Sequence, residues 1–370
     1  TRIIRPFIVV RFGNLSTNGI GDFCSAVWDY RAKKYLGLAP KRALDLSCYS
    51  DENWISNEYL ASVLLRDTNI YTSKIFYYFW RANKWLPDYK THDCFQINYN
   101  EWPARNAPTF FKYNSDEKRP FLKTLSSNFN IGGEFVCFHS RDNGYKSNIK
   151  TYGRNFDVQN IRNSTFSNYL PTAESLLKIG IKSIRLGQFV SDETPKIFWD
   201  YSRSNFRSAD NDIKLCAFCK FWVMTTAGIS WVPQIYGKPG VACNIIPFTP
   251  EMLWHYPRGT VVLPKHFRTL EGNYLDPQKV ISHKNVNQDE VKYYDRYIKE
   301  EGLIPEENSK EEILNAVNEF LDINIFKRKK VNRLEQKEFW EKVYPNSAEE
   351  LSGHIIVSPN FLKKTREFKQ

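Results

Sequence analysis

The densest run of side chains able to do chemistry is Phe138-His139-Ser140-Arg141-Asp142-Asn143-Gly144-Tyr145-Lys146. It continues the apolar stretch Glu134 to His139, whose composition is that of a buried strand. An arginine beside a histidine and an aspartate suits a diphosphate. The planar guanidinium forks onto phosphate oxygens, and the carboxylate fixes its orientation or takes a proton. The same residues also allow a plainer arrangement, a surface ion pair of Arg141 with Asp142 and a His139 satisfied in the core. A second basic run, Thr151-Tyr152-Gly153-Arg154-Asn155-Phe156-Asp157, follows in the same connection, either to reach the same ligand or as a solvated loop. Further on, the apolar run Phe221 to Thr226 ends in small hydroxylated residues and a glycine, and a helical pattern starts at once. A helix start offers unpaired amide N–H groups and a positive dipole end. Thr225, Thr226, Gly228 and Ser230 therefore form a candidate phosphate cradle, or else an ordinary hydroxyl cap.

Two more clusters carry polar groups. The loop Gly13 to Asp22 brings Asn14, Asn18 and Asp22 to the end of the apolar run Ile3 to Arg11, where they could hydrogen-bond sugar hydroxyls; a tight turn with Asp22 in the first helical turn is the alternative. Asp210-Asn211-Asp212 has the DxD form of a metal-binding pair, but it directly precedes an apolar-periodic helix. Capping by Asp210 or Asp212 is the preferred reading, no metal is assigned, and Arg203, Arg207 and Asp212 remain able to contact a base or ribose. Cys216-Ala-Phe-Cys219 lacks the second ligand pair that zinc needs. A dinucleotide GxGxxG and a Walker lysine are both absent from the sequence.

The elements that position these residues alternate between strand and helix patterns. Strands are expected at 3–11, 43–48 and 69–72, and helices from Phe23, at 57–66 and at 74–86. From Pro87 to Phe129 the pattern breaks around Pro87, Pro103, Pro108 and Pro120, as in an irregular linker. A second series has strands at 134–139, 182–186, 221–226 and 240–244, with helices at 169–179, 212–219 and 229–236. Such alternation specifies parallel sheets flanked by helices. The domains expected are 1–130, 131–287 and a mixed-charge helical extension at 288–370, where Ser309 and Glu312 fit a capping box.

At 370 residues with 42% hydrophobic and 25% charged side chains, the chain is globular and too long for one ordinary core. Lys+Arg 52 against Asp+Glu 41 gives +11, which admits nucleic acid, an anionic membrane or anionic substrates. The cations are spread along the sequence rather than gathered in a stripe with interleaved aromatics, so nucleic acid is not the expected partner. The run Lys327-Arg328-Lys329-Lys330 with Arg333 is a solvated face or a point of attraction to a membrane surface. No window reaches the roughly 20 apolar residues of a span. Residues 1–12 lack a signal-peptide layout. Seven cysteines, odd in number and set in apolar runs, suit a reducing compartment. A soluble cytoplasmic protein is expected, able to sit on the inner face of a membrane.

Several of these stretches together resemble a family of bacterial glycosyltransferases for surface carbohydrates. They are Phe138 to Tyr145, Tyr152 to Asp157, Ser183-Ile184-Arg185-Leu186-Gly187, Asp212-Ile213 with Leu215, Cys219 and Phe221, Thr225-Thr226 with Gly228-Ile229-Ser230, and Ser358-Pro359-Asn360-Phe361-Leu362. The His139-x-Arg141-Asp142 and Thr225-x-x-Gly228-x-Ser230-Trp231 elements are more distantly similar to donor-binding motifs of GDP-fucose transferases of the two-domain GT-B fold. Ser140 stands where those enzymes usually carry a second arginine. The resemblance implies a GT-B-like pair of Rossmann-like domains in which Arg141 grips the donor diphosphate. It also implies that the N-terminal domain, with Asn14, Asn18 and Asp22, faces the acceptor.

The function expected is metal-independent transfer of a sugar from a nucleotide-diphosphate donor to a hydroxyl of a glycan or lipid-linked glycan, in polysaccharide biosynthesis. No cofactor is expected beyond the nucleotide-sugar donor. Asn143, Tyr145, Arg154, Asn155, Arg185, Asp212, Thr225, Thr226, Gly228 and Ser230 are the candidate donor contacts. Asp142 is the first candidate for general base, followed by His139, with Asp22 from the other domain as outsider. A nucleotide- or carbohydrate-binding protein without catalysis on the same fold is the alternative.

Overall fold

The computed structural model describes residues 1–51, 55–66, 68–95, 108–144, 157–246, 248, 253–276 and 290–367, the stretches 157–159, 290–294 and 366–367 by backbone alone. Two compact units emerge. The first comprises Thr1–Tyr113, Ser208–Lys214 and Ile235–Gly237, the second Asn114–Arg207, Leu215–Gln234 and Lys238–Gln370. Each contains a parallel sheet with helices, the α/β class expected from the alternating pattern.

In the first unit the order is β1 (Val9–Leu15), α1 (Ile20–Tyr35), β2 (Ala43–Tyr49), α2 (Glu58–Leu65), β3 (Ile70–Thr72) and α3 (Phe76–Asn83). The strands form a parallel sheet in the order β1-β2-β3. The first strand starts later than its apolar run suggests. Residues 3–7 form turns closed by Phe7 N donating to Ile4 O at 3.0 Å, leaving Ile3 and Phe7 92% and 75% exposed. The strand in turn extends past Gly13, whose missing side chain is required: a Cβ there would lie 2.4 Å from Cys94 Sγ. The loop before α1 is therefore short, residues 16–19. The second helix, expected over 57–66, is capped by Asn57, whose Oδ1 accepts from Leu60 N at 2.7 Å.

Charge also lies inside this sheet. Arg11 and Asp45 are register partners, joined at 2.6 and 2.9 Å, and Tyr30 Oη donates to the same carboxylate at 2.6 Å. Burial alone would raise the Asp45 carboxyl, but the bonds and charges of Arg11, Tyr30 and Lys34 hold it below its ordinary value.

The second unit begins with α4 (Ser115–Phe129), inside the stretch expected to be irregular. Pro120 disguises it, yet Asn114 caps its start by accepting from Asp116 N at 3.0 Å. Asn130 closes its end in the left-handed conformation, φ 54°. There follow β4 (Phe135–His139), α5 (Leu170–Lys178), β5 (Lys182–Arg185), β6 (Phe198–Asp200), α6 (Ala209–Phe218), β7 (Phe221–Met224), α7 (Trp231–Ile235), β8 (Gly240–Ile245), β9 (Val261–Pro264) and β10 (His266–Arg268). The first part of α6 groups with the first unit. The C-terminal part adds α8 (Glu290–Glu300), β11 (Ile304–Glu306), α9 (Lys310–Phe320), α10 (Arg333–Val343), α11 (Ala348–His354), β12 (Ile356–Val357) and α12 (Pro359–Glu367). Seven strands run parallel in the order β12-β9-β8-β7-β4-β5-β6, so the largely helical C-terminal segment supplies one edge of the sheet. The capping box forms as expected, Ser309 Oγ accepting from Glu312 N at 3.2 Å and Glu312 Oε2 from Ser309 N at 2.8 Å.

Strands β7, β8 and β9 are buried at every position, which is why their sequences are apolar apart from Asn244 in β8. All seven cysteines are buried free thiols. Among the described residues no helix is long and apolar enough to cross a membrane.

Candidate functional site

Parallel strands end together, so β4, β5, β7, β8 and β9 deliver their following loops to one edge of the sheet, the usual ligand edge of open α/β sheets. In register, Phe138 pairs with Arg185 and His139 with Met224. The loop after β4 is fixed at Arg141 from both sides. Its N–H donates to Thr225 Oγ1 at 3.0 Å, and its carbonyl accepts from Ser164 N at 2.9 Å. Thr225 N returns a bond to His139 O at 3.1 Å, tying the ends of β4 and β7 together.

Asp142 holds this loop against the one after β5. Its Oδ1 accepts from Gly144 N at 2.8 Å, its Oδ2 from Ser191 N at 2.8 Å and Asp192 N at 3.4 Å, and Arg185 Nη2 lies 3.5 Å away. Gly144 is needed for that approach, since a Cβ would meet Ser191 N at 2.6 Å. Arg185, expected to touch the donor, is only 1% exposed. Its Nη1 donates to Asp192 O at 2.8 Å and Thr194 Oγ1 at 2.7 Å, and its guanidinium lies 4.0 Å over the Phe166 ring. These contacts tie it to Asp142 and the 191–194 loop.

His139 is half-buried, with Nδ1 3.0 Å from Leu186 O, which makes Nδ1 the protonated nitrogen and Nε2 the one with a lone pair. Burial lowers its pKa to about 4 against the opposing pull of the Leu186 carbonyl and Asp142, so the ring is neutral at pH 7.

Two cations escaped the sequence reading. Arg162 Nε lies 3.4 Å from Thr226 Oγ1 and its Nη2 donates to Thr226 O, placing a guanidinium beside the loop after β7. With Thr226, Ser230, Trp231, Gln234 and Tyr256 it lines a small open recess of about 10 Å³, room for one water. Lys265, buried beyond the end of β9, donates to Asn163 O at 2.7 Å, and burial lowers its pKa to about 8 despite the charge of Glu307. Asn163 Nδ2 donates in turn to Asn143 Oδ1 at 2.9 Å, so the 162–164 segment is clamped across the ends of β4, β7 and β9. Neither residue carries a local sequence signal, because its partners lie 64 and 102 residues away.

The turn after β7 differs from the single helix expected. Gly228–Ser230 is a 3-10 turn, followed by the five-residue α7. Ser230 Oγ donates to Ala227 O at 2.7 Å and Thr226 Oγ1 lies 3.3 Å from Ile246 O, so both hydroxyls are first used to shape the turn. Tyr145, Arg154 and Asn155 lie outside the described residues.

Asp212 lies in the first turn of α6, within the part that groups with the first unit. The cap there is Ser208, whose Oγ accepts from Asn211 N at 3.1 Å, rather than Asp210 or Asp212. Asp210 instead meets Lys214 at 2.5 Å. Asn14, Asn18 and Asp22 also belong to the first unit. Asn14 lies near the end of β1 with Cys48 Sγ 3.7 Å from its Oδ1, Asn18 Oδ1 is 3.4 Å from Ser16 Oγ, and Asp22 sits in the first turn of α1. Among the described residues no group of three or more His, Cys, Asp and Glu side chains is placed to hold a metal ion.

No protein-family model and no curated protein matches the chain. Solved structures with a similar fold include ADP-heptose lps heptosyltransferase II of E. coli (TM-score 0.43, 12% identity, 69% of this chain and 90% of that one). The iron-containing dodecameric glycosyltransferase TibC from enterotoxigenic E. coli is another (TM-score 0.42, 11% identity, 85% and 76%). A glycosyl transferase family 9 structure from Veillonella parvula is a third (TM-score 0.42, 13% identity, 84% and 97%). All three are named as glycosyltransferases, one of them a heptosyltransferase.

Proposed function

We propose that the chain is a GT-B glycosyltransferase that moves a sugar from a nucleotide-diphosphate donor to a hydroxyl of a glycan or lipid-linked glycan. The observation that carries this reading is the construction around Arg141. Its backbone is pinned between Thr225 and Ser164 at the carboxyl end of β4, and a second guanidinium, Arg162, stands at the adjoining β7 turn. Two arginines on loops fixed by the sheet supply preorganised positive charge for a diphosphate, whose negative charge grows as it leaves.

In the reaction the acceptor oxygen bonds to the anomeric carbon, and the bond from that carbon to the diphosphate oxygen breaks. The electron pair leaves with the diphosphate, and the acceptor proton goes to a protein base. His139 Nε2 takes that role here, because Asp142 is committed to the loop through three backbone N–H groups and Arg185. Donor charge is met by arginines rather than by a metal ion held on Asp210 and Asp212, which stand in a helical turn with Asp210 on Lys214. Transfer is therefore expected to persist in EDTA. Arg141→Ala should abolish transfer while the melting temperature stays near wild type; near-wild-type turnover in that variant contradicts the proposal.

A further inference from the structure

The first unit carries an apolar surface that its own packing leaves uncovered. In the segment from β3 through α3 to Leu86, Tyr71, Ile75, Tyr78, Phe79 and Trp85 are 63%, 57%, 72%, 51% and 85% exposed. Within α3 itself only Asn83 is buried. The N-terminal turn joins this surface, Arg2 donating to Asn83 Oδ1 at 2.6 Å and Arg5 pairing with Asp88 at 2.5 Å, so that exposed Ile3, Ile4 and Phe7 lie in a segment anchored to it. Across residues 1–8 and 68–95 there are six cations, Arg2, Arg5, Lys74, Arg81, Lys84 and Lys90, against two carboxylates, Asp88 and Asp93. Two of these cations lie against rings of the same segment. Lys84 Nζ lies 3.8 Å over the Trp80 ring, and Arg81 reaches over Tyr77.

We propose that this face docks on an anionic lipid surface, with the rings and aliphatic side chains entering the headgroup region and the cations meeting lipid phosphates. Tyrosine and tryptophan favour the membrane–water interface, and each interfacial cation adds attraction to an anionic leaflet. A second copy of the same face would bring like charges together. Single-stranded nucleic acid would use the rings for stacking but has no use for Ile3, Ile4, Ile75 and Leu86. The C-terminal cluster at 327–330 has fewer exposed large hydrophobic side chains near it in sequence, Phe326 and Leu334. The inference stands independently of the donor reading.

The test is co-sedimentation of the full chain with vesicles of phosphatidylcholine alone and of phosphatidylcholine with phosphatidylglycerol, at low and physiological salt. Wild type is expected on the anionic vesicles, with binding reduced by salt. Tyr78→Ser combined with Trp85→Ser should weaken binding roughly tenfold or more, and Lys74→Glu combined with Lys84→Glu should weaken it comparably. Both variants should melt near wild type, and Lys327→Ala with Lys330→Ala should bind within about twofold of it. Absence of wild type from anionic vesicles, or wild-type binding by both surface variants, overturns the proposal. So does a dimer, or a complex with single-stranded RNA, that forms without lipid and is lost in both variants.

Discussion

Arg11 and Asp45 meet inside two paired strands, whereas Arg185 and Asp142 meet past the end of theirs. Both pairs are almost completely removed from water. In the first, the carboxylate is held by side chains of β1 and α1 at 2.6 to 2.9 Å, and all three bonds come from side chains. In the second, the ionic contact is looser at 3.5 Å and the carboxylate spends its lone pairs on backbone N–H groups of two loops. The difference lies in what each pair positions. One fixes a core, the other fixes the loop that carries Arg141.

Breaking the two pairs should therefore give opposite balances of stability and binding. The largest loss of stability is expected for Asp45→Ala, about 3–5 kcal/mol by chemical denaturation, because a buried guanidinium and a tyrosine hydroxyl lose their partner. Nucleotide affinity in the remaining folded protein should be unchanged. Asp142→Ala should cost less, about 1–3 kcal/mol, yet weaken nucleotide binding by tenfold or more as the loop loses its hold. Equal binding losses in the two variants would erase the distinction.

The smallest expected effect is one of pH. The folded pKa of His139, about 4, lies below the ordinary value near 6.5. Between these values the unfolded chain binds a proton that the folded chain refuses, so stability falls as pH drops from 6.5 toward 4. Melting temperatures of wild type and His139→Gln at pH 7 and pH 5 should show a smaller decline in the variant; parallel declines would place the titrating group elsewhere.

Much of this was legible in the sequence where the signal is local. Strand β4 is a mostly apolar run, α2 falls within the helical pattern at 57–66, and α9 is announced by its capping box. The helix α4 was hidden by Pro120, and β6 and β12, three and two residues long, are too short to show a period. At the site, the His139 to Gly144 run identified the loop but not the work of its members. Asp142 suggested a base by type, and only the folded backbone of Ser191 and Asp192 reveals it as a clasp. Arg162 and Lys265 gain their meaning from strands that sequence distance conceals.

The central claim is that Arg141 holds a nucleoside diphosphate at the end of β4. Thermal melting of wild type and Arg141→Ala with ADP, GDP, UDP, TDP and CMP tests it most directly. A ligand at 100 times its dissociation constant adds about 2.7 kcal/mol, enough for a clear upward shift. At least one diphosphate should raise the melting temperature of wild type, and Arg141→Ala should melt normally without nucleotide but lose that shift. A full shift in the variant, or no shift by any diphosphate in wild type, would contradict it.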